Sequence, residues 1–314
     1  MISNVIDGVL ETSIFGSFSR VGFSLRRELE HWQPNKEARI AHIVITGASS
    51  GLGQTLAVLL AGRSNHLSLI GRDESRLSET AELVRAQGGN AQCYATDISD
   101  LVALQNLTIN LRDAPPVDVL VNNAGALSHS HHVSAQGIEL TVAVHVVAPY
   151  ALQRHLVMSP RGKVITMTSG GMYTERFDLS RLEMTPESYR GTTAYARAKR
   201  AQVVLTSALQ RQSDTQRSYY AVHPGWARTP GLDDALPLFS KALRPILRTS
   251  EEGVDTTAWL ATLPEGEPPG GGLWLDRRER PIYRLKKTVK TFEEERRDEV
   301  ELLKWLESRT SDMS

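Results

Sequence analysis

From Ala41 onward, short runs of Val, Ile and Leu alternate with longer segments in which apolar residues return every three or four positions. The short runs predict strands buried on both faces, at 41–46, 66–71, 91–96, 117–122, 161–168 and 217–222. The periodic segments predict helices, most clearly at 52–62, 74–87, 134–158 and 194–211. Strand and helix in alternation mean an α/β architecture, a parallel sheet with crossover helices. The Gly/Pro-rich stretch from Pro264 to Gly272 leads to Leu273-Trp274-Leu275, a last predicted strand. Residues 292–308 predict a terminal amphipathic helix whose many charges form a solvated face. The chain thus divides into an amphipathic arm (1–40), a sheet domain (41–278) and a charged helical extension (279–314).

Composition restricts the partners. At 314 residues, 40% hydrophobic and 23% charged, the chain can bury a full core and reads as an ordinary globular protein. Lys and Arg (36) balance Asp and Glu (36), and no basic run carries interleaved aromatics, so nucleic acid is excluded. Cys93 is the sole cysteine; it rules out an internal disulfide, fits a reducing compartment and is expected to pack in the core. No metal site is expected. No apolar stretch of membrane-spanning length occurs and the N-terminus lacks the order of a secretory signal, so a cytoplasmic location is expected. Residues 1–40 leave two readings open. Val5, Ile6, Val9, Leu10, Ile14, Phe15, Phe18, Val21, Phe23 and Leu25, with Arg20, Arg26 and Arg27, could rest on a membrane surface, or pack on the domain or a partner subunit.

The first strand ends in Thr46-Gly47-Ala48-Ser49-Ser50-Gly51-Leu52-Gly53, directly before a helix. Glycines there let backbone approach a pyrophosphate, whose charge meets free N–H groups at the helix start. Gly47, Ser49, Ser50, Gly51, Leu52 and Gly53 are therefore candidate dinucleotide-binding residues. The second strand ends in Gly71-Arg72-Asp73. A guanidinium pairs with a ribose 2′-phosphate and a carboxylate with a 2′-hydroxyl, so Arg72 favours NADP(H) over NAD(H), with Asp73 as the counterargument. Asp97, with Ile98, follows the third strand, placed to bind adenine or to cap the next helix.

Tyr195 and Lys199 lie four apart in a predicted helix, hence on one face. A phenol works near neutrality only if a nearby cation favours its anion. Alone, such a spacing is common by chance and reads more readily as a structural tyrosine beside a surface lysine. Ser169 joins them from the C-terminal edge of strand 161–168, where open α/β sheets bind ligands, and can hydrogen-bond a substrate oxygen. Asn122-Asn123-Ala124-Gly125 follows the fourth strand at the same edge, so these polar groups converge.

The glycine turn, Asn-Asn-Ala-Gly, Ser169, Tyr195/Lys199 and Pro224-Gly225 occur in an order that resembles the short-chain dehydrogenase/reductase family from about Ala41 to Asp276. Within that family, residues 164–171, 195–206 and 223–231, the arm around Phe18–Gly22 and Asp276-Arg277 resemble the branch called dehydrogenase/reductase member 12. The resemblance implies a single Rossmann-like, doubly wound parallel sheet carrying an N-terminal helical arm and a C-terminal helical extension. It implies pyrophosphate binding by Gly47, Gly51 and Gly53, and an adenosine side lined by Asn122, Asn123, Ala124 and Gly125. It further implies a catalytic trio of Ser169, Tyr195 and Lys199, with Lys199 also on the nicotinamide ribose. Pro224, Gly225, Ala227 and Thr229 would hold the nicotinamide end. A dimer or tetramer is implied as well, though the arm and extension could cover those surfaces.

Two departures from the family pattern stand out. His145 occupies the position of a catalytic Asn; its imidazole could relay a proton, be purely structural, or leave the relay absent. Ser169 and Tyr195 are 26 residues apart, longer than the family norm, which predicts an insertion over the site at 173–192. Between Thr229 and Glu251, Leu232, Leu236, Leu238, Phe239, Leu243, Ile246 and Leu247 could pave a lid for a lipophilic alcohol or carbonyl, or pack on the core. The expected activity is NADP(H)-dependent interconversion of such a pair. The alternatives are a catalytically weak NADP(H)-binding scaffold and a membrane-surface adaptor acting through the arm.

Overall fold

A computed structural model describes residues 2–33, 39–212, 216–228, 241 and 243–313. Eight strands form one sheet in the order β3-β2-β1-β4-β5-β6-β7-β8: β1 (Ile40–Thr46), β2 (Ser64–Gly71), β3 (Ala91–Ala95), β4 (Val117–Asn122), β5 (Met158–Met167), β6 (Ser218–Val222), β7 (Leu273–Leu275) and β8 (Arg278–Arg280). All neighbours pair parallel except β7 and β8, which form an antiparallel hairpin. The order reverses between β1 and β4, and a crevice opens at such a switch point beyond the strands' C-terminal ends.

The central strands are apolar on both sides because both are covered. Val44, Leu120 and Val164 join one core, and Ile45, Val121 and Ile165 the other. The arm is three helices, α1 (Ile2–Glu11), α2 (Ile14–Phe18) and α3 (Arg20–Leu29). The crossovers are α4 (Gly51–Leu60), α5 (Glu74–Ala86), α6 (Leu101–Asn110), then α7 (Leu140–Val142), which passes through a π-helical turn (Ala143–Val147) into α8 (Ala148–His155). α9 (Gly191–Gln212), α10 (Ser250–Thr262) and α11 (Phe292–Arg309) follow, and α11 packs Leu302, Leu303 and Leu306 into the core.

Two expectations change. The helix expected at 134–158 is shorter: Gly137, at φ +72°, closes a turn onto Ser134, and at the other end Met158 already belongs to β5. Weak periodicity hid α6 and α10, although Asp100 caps the first and a Thr249/Glu252 capping box opens the second. The 173–192 segment is tied mainly to its neighbours, Arg176 to Glu294 of α11 and Glu175 to Arg197 of α9; Thr174 and Thr192 reach the cavity wall.

The arm lies against the β7–β8 hairpin. Arg26 (1% exposed) bonds Asp276 at 2.5 Å, Asp7 at 2.7 Å and the Ser17 carbonyl at 3.0 Å. Arg248 clasps the same Asp276 carboxylate at 2.6 and 3.0 Å and bonds the carbonyls of Ser17, Phe18 and Ser19. Burial alone would raise the Asp7 carboxyl, but hydrogen bonds and charges from Arg280 and Arg26 hold it below the usual carboxylate range.

Candidate active site

A cavity of about 1180 Å³ opens at the switch point. Pockets for drug-sized ligands measure roughly 300–1,000 Å³, and this one exceeds that range, which leaves room for a dinucleotide and a second molecule. Its floor is the turn between β1 and α4. Gly47 (φ +66°) faces Ala124 so closely that a Cβ would come within 2.7 Å of the Ala124 Cα, which demands glycine. Asn123 staples this turn, donating its amide to the carbonyls of Thr46 (2.9 Å) and Gly47 (3.2 Å). The Thr46 hydroxyl accepts the N–H groups of Asn123 and Ala124, both at 3.0 Å.

Gly47, Ser49, Ser50, Gly51, Leu52, Asn123, Ala124 and Gly125 line the cavity, as do Arg72, Asp97 and Ile98 at one end and Pro224, Gly225 and Ala227 at the other. Gly53 lies behind the wall, where a Cβ would come within 2.2 Å of the Gly47 carbonyl: it permits the turn's packing. Asn122 is 3% exposed with its amide turned into the interior, away from the lining. Thr229 and most of the proposed apolar lid fall outside the described residues; of the rest, Leu247 is buried in the body of the protein.

Asp73 is taken up by α5, whose N-cap it forms by accepting from the Arg76 N–H at 3.1 Å. Its carboxylate serves the helix start and pairs with the Arg76 Nε at 3.5 Å, and Asp73, Arg72 and Arg76 all lie on the cavity wall. Sequence reasoning missed Arg76, although its place two residues into a helix capped by Asp73 was readable. Asp97 accepts the N–H and hydroxyl of Ser99 at 2.9 and 2.8 Å; Asp100, not Asp97, caps α6.

Ser169, Tyr195 and Lys199 share one wall. Ser169 ends the β5 edge and hydrogen-bonds the Tyr195 phenol; burial pushes that phenol up while this bond works the other way. Lys199 Nζ donates to the Met167 carbonyl at 2.7 Å and lies 5.4 Å from the Tyr195 ring centroid. Burial brings its ammonium down to about 7.

His145 sits behind this wall in the π-helical turn. Its ring meets Tyr195 edge-on at 5.4 Å, and Nε2 lies 3.1 Å from the Ala126 N–H and 3.0 Å from the Ala126 carbonyl. Burial, then the Lys199 charge, hold the imidazole well below its ordinary range, so it is neutral. Its main-chain carbonyl accepts the Gln202 amide at 2.9 Å. Among the described residues no helix is long and apolar enough to cross a membrane, and no acid, His or Cys cluster is arranged for a metal ion.

A family model for short chain dehydrogenases matches residues 41–236. A Bos taurus protein named dehydrogenase/reductase SDR family member 12 is 31% identical over 249 residues, covering 76% of this chain and 78% of its own. Human retinol dehydrogenase 12 is 28% identical over 244 residues, covering 74% and 77%. A solved short chain dehydrogenase from Burkholderia cenocepacia, in complex with NADP, has the same fold at a TM-score of 0.60 and 23% identity, covering 76% of this chain and 96% of that one.

Proposed function

The chain belongs to the short-chain dehydrogenase/reductase family, and from that premise we propose that it is an NADP(H)-dependent oxidoreductase interconverting a lipophilic alcohol and its carbonyl. The observation that carries this reading is the shared cavity: Ser169, Tyr195 and Lys199 line the same space as the glycine turn and the Arg72/Arg76 pair. The glycine turn suits a pyrophosphate, and two guanidiniums, against one carboxylate engaged by the start of α5, suit a 2′-phosphate better than a hydroxyl.

When bound, the nicotinamide supplies or accepts a hydride. Ser169 donates its hydroxyl hydrogen bond to the substrate oxygen and fixes it beside the phenol. Tyr195 gives its proton to that oxygen in reduction and takes it in oxidation. Lys199 stabilises the phenolate through its charge. Leu127, Leu140, Val144 and Trp226 give the cavity apolar surface, which supports a lipophilic substrate, as does the retinol in one relative's name.

The test is a screen of the purified protein with NADPH across lipophilic aldehydes and ketones, with Tyr195→Phe as control. Turnover that falls by about a hundredfold or more in Tyr195→Phe, with NADPH still bound, is the expected result. Turnover that survives the substitution overturns the mechanism. A second reading, cofactor binding without turnover, is favoured by the neutral His145 whose carbonyl Gln202 already occupies; a silent screen with intact NADPH binding selects it.

A further inference from the structure

The arm has an inner and an outer face of opposite character. Inward, Asp7 and Glu11 pair with Arg26 and Arg280, and Glu11 also with Arg284. Outward, Val5 (63% exposed), Val9 (65%), Ile14 (46%), Phe15 (57%), Val21 (54%) and Leu25 (40%) face solvent. Between residues 3 and 19 no charged side chain is exposed, since the acids there are turned inward. Charge returns at the rim: Arg27 is exposed, as is Arg20, whose Nε also bonds Glu252 at 3.0 Å, against the single exposed acid Glu28 among the arm's described residues. Six large apolar side chains exposed within one short arm go beyond the scattered singles of an ordinary surface.

We propose that this outer face lies on the surface of a lipid bilayer containing anionic headgroups, with the mouth of the cavity at the interface. Apolar side chains spaced four apart on α1 and on α3, with no exposed charge from residue 3 to 19 and exposed Arg20 and Arg27 flanking Val21 and Leu25, match the water–acyl boundary. Continuity with the cavity is the second argument: the exposed Phe15 ring packs edge-on against Trp226 at 5.2 Å, and Trp226 lines the cavity. The buried Arg26–Asp276–Arg248 cluster fixes the arm to the sheet domain, so a docked arm holds the mouth in a set position. Docking is independent of the reaction; delivery of a membrane-dissolved substrate rests on the lipophilic-substrate reading.

The experiment is co-sedimentation of the full chain with vesicles of phosphatidylcholine, alone or mixed with phosphatidylserine, without substrate. The protein is expected to pellet with the mixed vesicles, less with phosphatidylcholine alone, and less as salt rises. Val9→Glu combined with Leu25→Glu changes two exposed positions away from the cavity. It is expected to cut the bound fraction about tenfold or more, while NADPH binding and turnover of a water-soluble carbonyl stay unchanged. Wild-type protein left in the supernatant, or a double variant that binds as well, overturns the proposal. So does concentration-dependent self-association, measured by light scattering, that the double variant abolishes, because the face then belongs to a second copy. A protein that pellets yet turns over nothing retains the docking and removes the proposed reaction.

Discussion

Tyr195 and Lys199 share a buried wall, and burial moves them in opposite directions: the phenol up, the ammonium down to about 7. Lys199 therefore carries its charge below that pH and loses it as pH rises through it. In the proposed mechanism, reduction needs the Tyr195 proton and a cation to stabilise the phenolate left behind. We expect kcat/KM for reduction to fall as pH rises through about 7, and Lys199→Arg, charged throughout, to move that fall upward. A profile level across neutrality removes Lys199 from the step. His145 behaves differently, because a neutral imidazole held at Ala126 gives no inflection near its ordinary pKa. His145→Asn is expected to keep turnover within about tenfold with the same pH profile; a changed profile would assign the imidazole a proton. At the other end of the cavity, Arg72→Ala and Arg76→Ala should each weaken NADPH about tenfold to a hundredfold relative to NADH, as a charge-assisted hydrogen bond of about 1.5–3 kcal/mol implies. Equal losses for both cofactors would place the arginines elsewhere on the ligand. Arg72 was legible from its place at a strand end. Arg76's place near the start of a helix was legible too, but its presence on the cavity wall was not, because that depends on how the helix packs against the strand ends.

The arm shows how an element can matter to a site it never enters. Asp276 and Arg277 form the two-residue β7–β8 turn, both at positive φ (+55° and +54°), a conformation that favours glycine or asparagine. Arg26 and Arg248 hold the Asp276 carboxylate from two sides, and Arg248 also fills the space where a Cβ on Gly225 would fall, 2.3 Å from its Nε. The Phe18 carbonyl accepts the Trp226 N–H at 2.9 Å, and the Phe18 ring meets His223 edge-on at 4.3 Å. The Pro224-to-Ala227 loop at the cavity's end therefore leans on the arm. Arg26→Met leaves Asp276 and Asp7 short of a partner in a buried setting, and a loss of about 3–5 kcal/mol in denaturant unfolding is expected. Deleting residues 1–33 should weaken NADPH binding; unchanged affinity would mean that the loop stands without the arm. The apolar pattern of residues 1–40 was visible in the sequence, but two opposed surfaces share it. Which residues face inward was decided by Asp7, Glu11 and Arg26, whose partners lie some 250 positions away in the chain, as with Arg26 and Asp276.

At the scale of the whole molecule, the strands were legible because a doubly covered parallel sheet writes continuous apolar runs, and six of them appear within a few residues of their predicted bounds. β8 was not, since Arg278-Glu279-Arg280 has no apolar run and forms only by pairing back on β7. The cavity joins the β1 and β4 ends, the α9 wall and the loop braced by the arm, so a ligand that filled it would touch segments spread from Gly47 to Ala227. A ligand that bridges such distant segments stabilises the folded state by mass action. At about a hundredfold excess over Kd that is about 2.7 kcal/mol. Unfolding entropy near 2 cal/mol/K per residue, over 314 residues, converts it to a Tm rise of about 4 °C. NADPH is expected to give that shift in a thermal melt, and NADH at equal concentration a smaller one. Arg72→Ala should bring the two together, since the difference resides in the 2′-phosphate. A larger shift with NADH than with NADPH would reverse the cofactor assignment while leaving Tyr195 and the rest of the wall in place.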